Sequence, residues 1–266
     1  MSLSRVILTL MPVAIAVVNQ KGGVGKTTTT VNLAAYLATF GKKILLIDID
    51  PQSNASVGFG IDTKNLTKCL YNVMIEDLPA AEAIVKTSIA NLDVLPSTPR
   101  LSGAEVELVN MEQRETRLKQ ALANLPEGYD YILIDCPPSL SLLTVNALTA
   151  VNEVLVPIQC EYYALEGISQ LTHTLELIRE SLNPELKIRG IVLTMFDPRT
   201  LLSTQVADEA RKYFGNKVFK TVIPRNIRLA EAPSFGQPII FYDPGSKGAE
   251  AYENLCREVL GDVYVE

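Results

Sequence analysis

Between residues 19 and 28 the chain reads Asn-Gln-Lys-Gly-Gly-Val-Gly-Lys-Thr-Thr, an order of residue types suited to gripping a chain of phosphates. Gly22, Gly23 and Gly25, with Val24 between them, free the backbone to curl its N–H groups around an anion. The helix expected to follow turns its positive dipole end toward the same point. Lys26 is spaced to reach β and γ phosphates, Thr27 to offer its hydroxyl to Mg²⁺, and Thr28 to complete the cradle. A glycine-rich turn with no ligand would need neither the lysine nor the threonine at that spacing.

Two more segments end apolar runs in acids. Ile44-Leu45-Leu46-Ile47-Asp48-Ile49-Asp50 sets two carboxylates at alternate positions, and Tyr131-Ile132-Leu133-Ile134-Asp135 sets one. Ligands of open α/β sheets lie beyond the C-terminal ends of the strands. Asp135 therefore reads as the Walker B acid that holds Mg²⁺ through water, while Asp48 and Asp50 read either as site carboxylates or as solvated loop acids. Such a set suffices for phosphoryl transfer to water, which needs positioning and charge neutralisation rather than covalent chemistry. No Asn-Lys-x-Asp guanine signature occurs, and the comparable position reads Thr194-Met195-Phe196-Asp197, so ATP is the expected nucleotide.

Other chemistries have little to stand on. Cys69, Cys136, Cys160 and Cys256 are scattered without a CxxC, and His173 is the only histidine, so zinc and iron–sulfur sites lack ligand clusters. The apolar stretch Val6 to Val18 is broken by Thr9 and Pro12 and falls short of the roughly 20 residues that cross a bilayer. Arg5 is the only early cation, which disfavours a signal peptide; a cytoplasmic protein is expected.

To place these loops, strands are expected at Val13 to Val18, Lys43 to Ile47, Leu92 to Leu95, Tyr131 to Ile134, Glu153 to Pro157 and Ile188 to Leu193. Each run is short and nearly continuous, as strands buried on both faces are. Helical patterns fall between them at Thr27 to Phe40, Gly103 to Ala123, Leu140 to Ala150 and Leu165 to Leu182, with Gly41 and Pro184 as stop signals. The alternation implies a three-layer α/β P-loop fold: a mostly parallel twisted sheet flanked by helices. Residues 1–12 read as an N-terminal extension or a misassigned start, ahead of one domain over 13–266.

The net charge of −6 argues against a globally basic nucleic-acid binder, yet its distribution is uneven. Residues 187–247 carry ten Lys/Arg against five Asp/Glu, a balance of +5 that leaves −11 on the remainder. A local anion-binding face is thereby allowed.

One departure from the usual phosphate-loop pattern is informative: Gln20 stands where the first glycine belongs, and Lys21 follows at once. In this the chain resembles the deviant Walker A ATPases. Three further segments, DPQSNAS at 50–56, TMFDPRT at 194–200 and VIPRNIRLAEAPSFGQPIIFYDPGSKGAEAY at 222–252, are similar to the ParA or Soj group that partitions chromosomes and plasmids. The resemblance implies that Lys21 reaches the nucleotide of a second subunit, giving a sandwich homodimer on ATP binding. Lys21, Lys26 and Asp50 would then be catalytic, Asp50 by holding the attacking water, with Asp48 in the Mg²⁺ environment. By the same resemblance Pro224 and Asn226 lie near the adenine, and Arg199, Arg228 and Lys247 hold DNA without sequence preference; as composition alone reads them, these three are equally ordinary surface cations. It further implies a ParB-type centromere-binding partner that stimulates a weak basal hydrolysis, and nucleoid association of the ATP form. The alternative is a MinD-like membrane-associated regulator of the division site. That group needs a basic amphipathic C-terminal helix, whereas this chain ends Arg257 to Glu266 acidic and interrupted by Gly261, so no membrane partner is expected.

Overall fold

A computed structural model describes residues 12–161 and 164–261, without the side chains of 164–169. All but Pro12 of residues 1–12, expected to be an extension or a misassigned start, lie outside the described residues, as do residues 262–266 of the acidic tail.

Period-two alternation of apolar side chains builds a sheet with a core on each face. Its strands are β1 (Val13–Val17), β2 (Ile44–Asp48), β3 (Val85–Lys86), β4 (Leu92–Leu95), β5 (Tyr131–Asp135), β6 (Glu153–Gln159), β7 (Lys187–Phe196) and β8 (Val218–Pro224). They run in the order β3-β4-β2-β5-β1-β6-β7-β8, parallel throughout except for the short β3 against β4. In β2, Leu45 and Ile47 point to one face while Ile44 and Leu46 point to the other; in β5, Ile132 and Ile134 oppose Leu133. Each such fully buried leucine or isoleucine contributes about 1.5–3 kcal/mol. Burial on both faces is why these runs carry no polar alternation.

The helices are α1 (Lys26–Thr39), α2 (Asn54–Val57), α3 (Leu70–Ile75), α4 (Ala80–Ala83), α5 (Leu101–Leu108), α6 (Arg117–Leu122), α7 (Leu142–Ala150), α8 (Ala164–Ser181), α9 (Leu201–Phe214), α10 (Ile227–Glu231), α11 (Ile239–Tyr242) and α12 (Lys247–Leu260). The layer containing α3 and α5–α9 covers one face; α1 and α12 lead the other. There α12 turns Tyr252, Leu255, Cys256 and Val259 inward at helical spacing. The Tyr252 hydroxyl lies 3.1 Å from Thr29 Oγ1, and the Tyr36 hydroxyl donates to the Ala249 carbonyl at 2.8 Å, so α12 braces the helix that follows the phosphate loop.

Three expectations need amendment. The single helix expected over Gly103 to Ala123 is two, α5 and α6, because Gln113 adopts a left-handed φ of 54° and buried Asn146 ties the second to α7 by accepting from the Leu118 amide at 3.1 Å. β8 was not among the expected strands. It is an edge strand with polar Lys220 and Thr221, whose amides donate to the Glu258 carboxylate at 2.8 and 2.7 Å, a side-chain cover for an otherwise open edge. The two-residue β3 is too short to carry a pattern.

Candidate functional site

All the expected phosphate-site residues fall at the C-terminal ends of the central strands β1, β2 and β5. Asn19 anchors the start of the loop, donating from Nδ2 to the Pro157 carbonyl at the far end of β6 (2.7 Å) and accepting from the Lys21 amide (3.0 Å). The middle of the loop is pinned by Thr194 at the end of β7, whose hydroxyl donates to the Val24 carbonyl at 2.8 Å. Gly23 and Gly25 sit at φ 74° and 88°, a region that costs a side chain strain, so the curl of the loop depends on them. Gln20 Nε2 is buried with no partner among the described residues.

The two loop lysines have different fates. Lys26 is 6% exposed and its Nζ donates to the Lys21 carbonyl at 3.0 Å. Burial pushes its pKa down and the nearby Asp135 pushes it up, so an anion in the loop would relieve a buried cation. Lys21 instead turns outward, 39% exposed, with Nζ 4.0 Å from Glu161. Glu161 also lies 3.5 Å from Arg225 and accepts from Gln159 Nε2 at 2.5 Å.

Beneath the loop, Asp135 and Asp48 stand in register on β5 and β2, both fully buried. Asp135 accepts from Thr27 Oγ1 at 2.8 Å and from Thr30 Oγ1 at 2.9 Å. Burial raises the Asp135 carboxyl well above the usual range, and the neighbouring Asp48 raises it further. Burial likewise raises Asp48, opposed by its hydrogen bonds from Ser56. A divalent cation at Thr27 and Asp135 would meet oxygen donors only, and its charge would favour ionising two acids that resist ionising together. No three acids, histidines or cysteines gather as a metal cage among the described residues. Mg²⁺ needs none, since it takes one or two protein oxygens and completes its shell with phosphates and water. The residues present therefore fit it. Asp50, 6% exposed, accepts from the Gln52 amide at 2.9 Å at the start of the turn into α2.

Beside the loop a cavity of about 370 Å³ is lined by Gly25, Thr28, Met195, Pro224, Asn226 and Ile227, a size and apolar character suited to a planar base. Pro224 and Asn226 thus share one pocket with the phosphate loop. Arg228 is bonded to the carboxylates of Glu231 (2.9 Å) and Asp243 (3.2 Å), the Asp243 backbone carbonyl accepts from the Ser246 amide (3.1 Å), and Lys247 is exposed. Arg199 lies on the β7–α9 turn, 86% exposed, bonded through Nε and Nη2 to Asp197 at 2.9 and 2.7 Å. Sequence reading missed Thr30, Thr194, Glu161 and Ser56; only Thr30 left a local trace, three residues beyond Thr27 on the same helix face.

Comparison with known proteins agrees with this geometry. The family model described as an AAA domain matches residues 13–188. The sporulation initiation inhibitor protein Soj of Bacillus subtilis is 58% identical over 93% of this chain and 98% of its own. The chromosome partitioning protein ParA of Myxococcus xanthus is 56% identical over 92% and 87%. Among solved structures, cobyrinic acid a,c-diamide synthase of Mycobacterium smegmatis with bound ADP and magnesium is 36% identical over 94% of each chain, with a TM-score of 0.82. An ATP- and Mg²⁺-dependent P-loop protein is what the cradle, the paired acids and these likenesses have in common, and with more than half its residues shared with partitioning proteins over nearly its whole length, the chain belongs to the ParA/Soj family of partitioning ATPases.

Proposed function

We propose that the chain is a nucleotide switch: two copies clasp ATP between them, the clasped pair holds DNA without sequence preference, and hydrolysis releases it. The observation that carries this reading is the divergence of the loop lysines. Lys26 is buried in its own loop, where it would neutralise β and γ phosphates, whereas Lys21 faces outward, where it would meet a second subunit's nucleotide.

In this mechanism the loop amides of residues 22–28 bind and orient the phosphates, and the pocket of Pro224 and Asn226 receives the base. Thr27 and Asp135 would hold Mg²⁺, which when bound neutralises charge developing on the phosphates. Asp50 orients the attacking water toward the γ phosphate. Lys21 from the neighbouring subunit adds a cation that acts like an arginine finger, so turnover depends on pairing. Arg199, Arg228 and Lys247 supply a few phosphate contacts per subunit. One subunit alone holds DNA weakly, and a pair presenting two patches holds it far better. A ParB-type partner that accelerates hydrolysis would complete the cycle, with the ATP form on the nucleoid.

The test is DNA retention of the purified protein with ATP, with ADP and with no nucleotide at low salt. Retention with ATP alone is expected; equal retention in all three conditions would refute the switch.

A further inference from the structure

Asp48 is the site acid whose oxygens are most fully engaged within the protein. Its Oδ1 accepts from the Asp50 amide at 3.2 Å, and its Oδ2 accepts from both the amide (2.8 Å) and the hydroxyl (2.7 Å) of Ser56. Ser56 is wholly buried, and its Oγ also accepts from the Ser97 amide at 3.2 Å, just past β4. Asp48 thus ties together the end of β2, the turn at 50–56 and the chain leaving β4.

The turn's other polar ties are local, the Gln52 amide donating to Asp50 Oδ1 at 2.9 Å and Ser53 Oγ to the Pro51 carbonyl at 3.4 Å, while Ala55 is buried in the apolar core. The Ser53 amide donates to the Asp50 carbonyl at 2.9 Å, Ser53 itself sits at a left-handed φ of 57°, and α2 is a single turn of four residues, too short to hold itself together. The Asp50 carboxylate rides on this stretch.

We infer that Asp48 and Ser56 are positioning residues for hydrolysis: they fix the 50–56 turn so that Asp50 is held where it can orient water, and Asp48 acts through Ser56 and the backbone rather than on the metal. The inference rests on the role given to Asp50 under the proposed function. Removing the Ser56 hydroxyl takes one bond from Asp48 Oδ2 and strands the buried Ser97 amide, which leaves the turn with fewer anchors. A misplacement of about 1 Å near the chemistry costs on the order of 10²-fold in rate. Loss of one anchor among three, with the two backbone bonds kept, should cost about tenfold.

The experiment compares full-length wild type, Ser56→Ala and Asp50→Ala. Amide hydrogen exchange is followed on the nucleotide-free proteins, and kcat, KM and the Mg²⁺ concentration for half-maximal ATP hydrolysis are measured. Ser56→Ala is expected to speed exchange across residues 50–57 while leaving α1 unchanged, and to lower kcat about tenfold with KM and the Mg²⁺ midpoint within about twofold of wild type. Unchanged exchange or unchanged kcat in Ser56→Ala, while Asp50→Ala is inactive, overturns the inference alone. So does a kcat restored by excess Mg²⁺, since that places the pair in the metal site. Normal turnover in Asp50→Ala removes the Asp50 role and this inference with it. Should circular dichroism show Ser56→Ala unfolded, Ser56→Cys, which keeps the volume and a weak donor, is read by the same criteria.

Discussion

Arg228 offers a quantitative test of the proposed DNA face. Its guanidinium is held by Glu231 at 2.9 Å and Asp243 at 3.2 Å, so a phosphate contact must compete with two carboxylates already in place. Arg228→Ala removes one contact per subunit and two per pair. Each phosphate contact contributes about −0.9 to the slope of log affinity against log salt, so the slope should become shallower by about 1.8. Between 50 and 200 mM salt the variant would then lose on the order of tenfold less affinity than wild type, having started weaker at 50 mM. Glu231→Gln removes a competitor and should move affinity the other way at low salt. Fluorescence anisotropy of a labelled duplex of arbitrary sequence, titrated in several salt concentrations with a non-hydrolysable ATP analogue, reads both. A wild-type slope in Arg228→Ala, with nucleotide-dependent pairs still forming, would show that this arginine touches no phosphate.

Lys21→Ala should keep nucleotide binding, because Lys26 and the loop amides remain, but lose ATP-dependent pairing; an unchanged dimer by light scattering would remove the role in trans. The melting temperature of the nucleotide-free protein should fall as pH climbs from about 4 through neutrality. Asp48 and Asp135 are favoured as neutral acids in the fold and ionise readily once unfolded, so rising pH favours the unfolded chain. Asp135→Asn should flatten that slope in thermal scans across pH, and a slope as steep as wild type would refute the assignment. Asn32 accepts from the Ile239 amide at 2.7 Å and donates to the Thr28 carbonyl at 2.8 Å, so Asn32→Ala should cost about 1–3 kcal/mol in urea unfolding by stranding a buried amide.

What sequence made legible follows from how local each determinant is. The phosphate loop is contiguous, and its glycines, lysine and threonine act on one ligand within ten residues, so residues 19–28 sufficed. The central strands β1, β2 and β5 were equally legible, because a strand buried on both faces must be apolar at every position. β8 was not, since an edge strand keeps Lys220 and Thr221 and relies on Glu258, 38 and 37 positions away, to satisfy their amides. The break between α5 and α6 depends on Asn146 from another helix, and helical periodicity runs across it without a sign. The same distance hid the supports of the site. Thr194 meets Val24 across 170 positions and Ser97 meets Ser56 across 41, contacts that no spacing rule in a single chain can reveal.

Taken together, these supports suggest how the proposed switch would be set. Four of the groups that it uses already have a partner within the subunit: Lys26 Nζ holds the Lys21 carbonyl, Thr27 holds Asp135, Lys21 faces Glu161, and Arg228 is held by Glu231 and Asp243. For Lys26 and Thr27, nucleotide binding is then an exchange of partners, and exchanges can be coupled where two share an atom. The Lys21 carbonyl is such a place. Under the proposed reading, a phosphate that draws Lys26 away releases the backbone of the residue whose side chain must cross to the second subunit. Among the described residues the Lys21 side chain is held only by a half-exposed acid at 4.0 Å, a contact that water and salt screen to little. The firm bond guards the nucleotide step and the weak one guards pairing, so ATP entry would precede and permit the clasp rather than compete with it.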